Sequence, residues 1–261
     1  MIDFSDLFQI LIENWLIISL FFIIAMFYAS VGFGGGSSYL AVLALTGLAF
    51  PQIRAIALLC NIVVVSGGTY LYIKNGFFNY RKIFPLVFLS MPLAFLGGYL
   101  HISYKLFYIL LGLTLTIAAI TMWLSKYIDK TEKEQPKESN MLKDASFGGL
   151  IGFVSGMVGI GGGIFLAPLL HLTKWDIPKR IAATSSFFIL VNSIAGLLGQ
   201  YQNPDFIIEP KLTLILLFTV LIGGQIGSRL SIKLIKPNSL KRLTAVLIAF
   251  VGLKILFEYL F

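Results

Sequence analysis

Two stretches of this 261-residue chain repeat each other: Val31-Gly32-Phe33-Gly34-Gly35-Gly36 and Val158-Gly159-Ile160-Gly161-Gly162-Gly163. Glycine runs make poor helix, because each Gly costs about 1 kcal/mol relative to Ala in a helix interior. Such a run turns or breaks the chain and leaves the first N–H groups of the next helix uncommitted. A helix start also carries about half a positive charge. Gly34, Gly35, Gly36 and Ser37 in one stretch, and Gly161, Gly162 and Gly163 in the other, are therefore candidate contacts for a small anion. The competing reading is that these glycines only allow helices to pack closely.

Other side chains fit the same chemistry. Asn61, Thr184, Ser185 and Asn192 are polar residues inside apolar stretches. They can line a pathway, or hydrogen-bond between helices for about 0.6 kcal/mol each. Gln200, near a loop, reads as structural, and Ser66 and Ser193 are expected to bond back to their own helices. Arg54, Lys179 and Arg180 follow the two glycine stretches and open the next helices. They can draw anions toward the two mouths, or anchor helix ends by snorkelling. Glu13 is the one carboxylate well inside an apolar run, so a relay of acidic side chains is not expected. His101 and His171 both lie near run ends, and no His-Glu-x-x-His or Gly-x-x-x-x-Gly-Lys-Ser/Thr pattern occurs. An intramembrane enzyme is thus the weaker alternative. No cofactor or metal is called for, and Cys60 is a lone cysteine that reads as an apolar filler.

These residues must be held by a membrane fold. The chain is 57% hydrophobic and only 12% charged, with a mean hydropathy of +0.89, too apolar for a soluble domain of this size. The net charge of +8 lies in short breaks between apolar runs, as in cytoplasmic loops, so a lipid bilayer and not nucleic acid is the expected partner. Runs of spanning length cover 9–31, 52–73, 83–101, 104–125, 178–200, 211–234 and 239–261. Shorter pieces, 37–49 and 164–173, follow the glycine stretches, and 145–158 precedes the second. Trp15, Trp123 and Trp175 near run ends suit an interfacial belt.

Pro51 and Pro178, and Ser66 and Ser193, keep the register of the two glycine stretches, and Leu96-Gly97 pairs with Ile226-Gly227 at a slightly larger offset. The expected fold is an all-α polytopic membrane protein of two inverted repeats, each a glycine-broken helical hairpin plus three transmembrane helices. Repeat 1 takes residues 1–125 (hairpin 9–49), repeat 2 takes 145–261 (hairpin 145–173), and 126–144 is a charged cytoplasmic linker. On this topology all but Arg54, Lys105, Lys211 and Lys254 of the 20 Lys and Arg residues face one side. The positive-inside rule makes that side cytoplasmic and puts both termini outside. Homo-oligomerisation stays open.

The sequence resembles the TauE/SafE sulfite exporter family over nearly its whole length. The resemblance rests on the paired glycine motifs, on Arg180-Ile181-Ala182-Ala183-Thr184-Ser185, on Gly223-x-x-x-Gly227-x-x-Leu230, on the charged central loop and on the basic-then-apolar final segment. The first half departs from it: Ile56-Ala57-Leu58 stands where the second half has Ala183-Thr184-Ser185. The resemblance implies transport of sulfite, organosulfonates or another small oxyanion across the cytoplasmic membrane. An inside-negative potential favours anion exit by about 2.3 kcal/mol per 100 mV, which leans the expectation toward export.

Overall fold

A computed structural model describes residues 4–125, 141–173, 175–204, 206–230 and 237–260. The described residues are helical with short connections and contain no strand. The helices are α1 (Phe4–Glu13), α2 (Trp15–Ser30), α3 (Gly36–Leu43), α4 (Phe50–Lys74), α5 (Tyr80–Tyr99), α6 (Tyr104–Ser125), α7 (Met141–Val158), α8 (Gly163–Leu172), α9 (Pro178–Tyr201), α10 (Pro210–Leu230) and α11 (Pro237–Leu260). Among the described residues, five segments are long and apolar enough to cross a bilayer: α4, α5, α9, α10 and Tyr104–Thr121 of α6. The protein is an all-helical, multi-pass membrane protein.

Several boundaries differ from the sequence reading. The first apolar run is two helices joined at Asn14, whose φ of −110° and ψ of 16° depart from the helix while its N–H still reaches Ile10 O and its O still accepts from Ile18 N. The second half starts helically at Met141, earlier than 145, while 126–140 of the expected linker lies outside the described residues. The third helix ends at Leu43, short of 49. With 8 and 10 residues, α3 and α8 are about 12 and 15 Å long. Neither can cross a hydrocarbon core of about 30 Å.

The packing pairs elements of one half with elements of the other. α5 lies along α7 and α9, α10 lies along α2 and α4, α4 meets α9, and α6 meets α11. The short helix α3 rests on α4 and α11, and α8 on α9 and α6. Exchanging the halves in order (α2 for α7, through to α6 for α11) turns α4–α9 and α6–α11 into themselves and each of the other pairings into another of the same set. Small residues set the spacing. On α7, a methyl at Gly148, Gly152 or Gly156 would strike the carbonyl oxygens of Leu86, Ser90 or Ala94 on α5. On α10, Gly223 and Gly227 do the same against Phe22 and Met26 of α2. Without a hydrophobic drive in lipid, such backbone approach is what holds helices together.

Candidate functional site

Each glycine stretch ends in a left-handed cap. Gly35 (φ 92°) precedes α3, and Gly162 (φ 83°) precedes α8. A residue with a Cβ pays roughly 1–2 kcal/mol in this region, so glycine is the natural occupant. The caps reverse the chain within a few residues, which lets α2 feed α3 and α7 feed α8. The Gly35 carbonyl accepts from Ser38 N at 2.9 Å and Tyr39 N at 3.0 Å; the Gly162 carbonyl accepts from Phe165 N at 3.2 Å and Leu166 N at 3.1 Å. The N–H groups ahead of these, on Gly36 and Ser37 and on Gly163 and Ile164, have no partner within their own helices.

The two turns meet at Asn61 of α4. The Asn61 side chain is fully buried, and its Nδ2 donates to Ile160 O in the second turn at 2.9 Å. A methyl at Gly34 or Gly36 would strike the Asn61 carboxamide, and one at Gly161 would lie 2.8 Å from Asn61 Nδ2. A methyl at Gly36 would also lie 2.6 Å from Ile160 O. One side chain thus separates and links both glycine stretches. The Asn61 Oδ1 has no hydrogen-bond partner.

Helix α9 supplies the facing wall. Ser193 Oγ would lie 2.7 Å from a methyl at Gly161, and the Ile189 side chain abuts Gly161 and Gly163. The Ser193 hydroxyl is buried without a partner, contrary to the expected back-bond, whereas Ser66 does bond to Ile62 O of its own helix. Asn192 and Ser185, within a turn of Ile189, are also buried. Asn192 Nδ2 donates to Phe188 O at 2.8 Å, and its Oδ1, like Ser185 Oγ, is unpartnered. Thr184 is engaged by its own helix, donating to Arg180 O at 2.8 Å. Ser37 is buried in the first turn of α3.

Of the three basic residues read as anion attractors, Lys179 and Arg180 lie apart from this centre, while Arg54 touches the second glycine stretch, 3.1 Å from a methyl placed at Gly159. Arg54 is only 2% exposed. Its Nη2 donates to Gly156 O at 3.2 Å and Gly98 O at 3.4 Å, near the C-terminal ends of α7 and α5, where a positive charge is favoured. It borders a recess of about 270 Å3, open mouth included, that is also lined by Pro51, His101, Gln200 and Phe206. Gln200 Nε2 donates to Pro51 O at 2.8 Å, in keeping with a structural role. Lys179 is exposed, with its Nζ over the Phe77 ring at 5.2 Å. Arg180 pairs with Asp176 at 3.6 Å.

That pairing belongs to a cluster the sequence reading missed. Asp176, with its side chain 1% exposed, also binds Lys82 Nζ at 3.1 Å. Lys82 Nζ donates to Trp175 O at 2.9 Å, and Trp175 Nε1 donates to Asp144 Oδ2 at 3.0 Å. Both carboxylates are buried, although only Glu13 stood out in the sequence. Charge placed outside an apolar run gave no sign of burial. A second missed feature is a polar seam between α4 and α9, where Thr69 Oγ1 lies 3.1 Å from Ser186 Oγ.

The chain has relatives among known proteins. A family model described as Sulfite exporter TauE/SafE matches residues 17–255. A probable membrane transporter protein, y4hK of Sinorhizobium fredii, is 34% identical, with 90% of this chain and 95% of that one aligned. The probable membrane transporter protein MJ0441 of Methanocaldococcus jannaschii is 26% identical over 94% of this chain and 96% of its own. YunE of Bacillus subtilis, another probable membrane transporter protein, is 23% identical over 81% and 83%. No solved structure matches the chain. The family match spans nearly every helix described above, and the y4hK relative aligns over 95% of its own length, so the chain belongs to the TauE/SafE sulfite exporter family of membrane proteins.

Proposed function

We propose that the protein is a secondary transporter or facilitator that moves small anions, sulfite or organosulfonate-like sulfur oxyanions, across the cytoplasmic membrane. The observation that carries this reading is the meeting of two glycine-capped helix starts, α3 and α8, around Asn61. Two helix N-termini offer backbone donors and partial positive charge without placing a formal charge in the membrane. An ionised anion held this way can still leave, which transport requires. The interchange of helix pairings between the halves supports inverted repeats around that centre. The orientation proposed from the loop charges puts both termini outside and 126–144 in the cytoplasm.

The test is flux into or out of proteoliposomes holding the purified protein, with sulfite, thiosulfate, alkyl sulfonates, sulfate and carboxylates as probes. Anion movement that responds to an imposed potential, inside-negative driving exit, supports the reading. Preference for a cation or a neutral sugar overturns it.

A further inference from the structure

We infer that the transported anion carries a hydrogen-bond donor of its own, as hydrogen sulfite or a hydroxyl- or amine-bearing sulfonate does, and that Asn61 Oδ1 is the atom that selects it. The inference rests on the anion reading above and narrows it.

A site built only from helix N-termini offers donors, and any oxyanion satisfies donors. The centre described here is mixed. The orientation of the Asn61 carboxamide is fixed because Nδ2 donates to Ile160 O at 2.9 Å, and a carbonyl can only accept. The other end of the amide, Oδ1, is therefore presented as an acceptor beside Gly34 at the entry to α3. It is fully buried and has no partner. Asn192 repeats the arrangement on α9, with Nδ2 engaged by Phe188 O and Oδ1 buried and unpartnered. A bare oxyanion near such a carbonyl meets a repelling dipole and leaves the acceptor unsatisfied. An anion with one O–H or N–H turns its negative oxygens to the backbone donors and its proton to Asn61. Ser193 Oγ, buried at Gly161 and also unpartnered, can donate or accept and so follows either choice.

The experiment uses the full-length protein in proteoliposomes and a matched pair of probes, 2-hydroxyethanesulfonate and propane-1-sulfonate, which differ by a hydroxyl in place of a methyl. The hydroxyl-bearing anion should move about tenfold faster, the cost of one buried unsatisfied acceptor. Sulfite flux should fall as rising pH removes its proton. In Asn61→Val the ratio between the paired probes should collapse toward one; a ratio is insensitive to how much protein folds. Should that variant fail to fold, the paired probes and the pH series on the unmodified protein still decide. Equal movement of both sulfonates, with sulfite flux flat in pH, overturns the inference and leaves the anion transporter standing. Failure of every anion to move removes both.

Discussion

At the scale of single residues, glycine and asparagine do different work at the same spot. Gly35→Ala and Gly162→Ala each force a Cβ into a left-handed cap and against a neighbour, 2.9 Å from Ile24 Cγ2 in the first case and 2.8 Å from Phe188 Cε1 in the second. Each should lower stability by about 1–3 kcal/mol and cut flux, read as a lower melting temperature in detergent and slower uptake at matched expression. Normal flux with normal melting would leave the caps without a transport role. Arg54→Gln should destabilise by about 1–3 kcal/mol, because the carbonyls of Gly98 and Gly156 lose a buried donor. Arg54→Lys should recover only part of that, since one ammonium cannot reproduce the guanidinium fork. Much of this centre was legible: the glycines, Asn61, Asn192 and Ser185 stand out as polar or helix-breaking interruptions of apolar sequence. Their partners were not. Nothing in the spacing says that Asn61 reaches Ile160, because that contact joins residues about a hundred positions apart and depends on how two halves dock. Arg54 lies near a run end yet turns inward to cap helix carbonyls and not outward to solvent, and its sequence position gave no sign of that.

At the scale of elements, glycine has two separable roles. The stretches ahead of α3 and α8 turn the chain, whereas the glycines of α7 and α10 bring backbones together. Gly227→Leu should wedge α10 from α2, since even a methyl there would strike Met26 O, and overpacking of this kind costs about 1–3 kcal/mol or more. The check is melting temperature together with crosslinking between the two helices, and an unchanged pair would count against close approach as the source of cohesion. The loop between α8 and α9 is tied down by charge. Asp176→Asn leaves Lys82 and Arg180 without their shared carboxylate. It should loosen that loop, seen as faster protease cleavage near Trp175, with Lys82→Met in the same background restoring part of the loss. The long helices were readable from apolar length alone, whereas the short α3 and α8 were marked by the glycine stretches before them. Helix limits were less readable, because Asn14 divides one apolar run into two helices and α7 begins at Met141, where polar residues gave no apolar signal. A polar helix start that packs its Asp144 against an indole looks like linker until the indole is in place.

At the scale of the whole molecule, the proposed orientation makes a direct prediction. In a Cys60→Ala background, Asn75→Cys should react with a membrane-impermeant thiol reagent only from the cytoplasmic side, and Ser103→Cys and Ile207→Cys only from outside. The reverse pattern would invert the molecule and exchange its proposed inner and outer faces. The proposed repeat rests on the two glycine stretches and the prolines that keep their register, yet the way the two halves interlock could not be read there, since local pattern carries no information about which helix lies beside which. That interlocking governs assembly. α2 lies on α10, α5 on α7 and α9, and α6 on α11, so the broadest contacts of each half are with the other. A chain cut within 126–140 should therefore give two fragments that are degraded when made singly and stable when made together. Biogenesis must then shelter the first half in the bilayer, its mating surfaces bare, until synthesis of the second half is nearly complete.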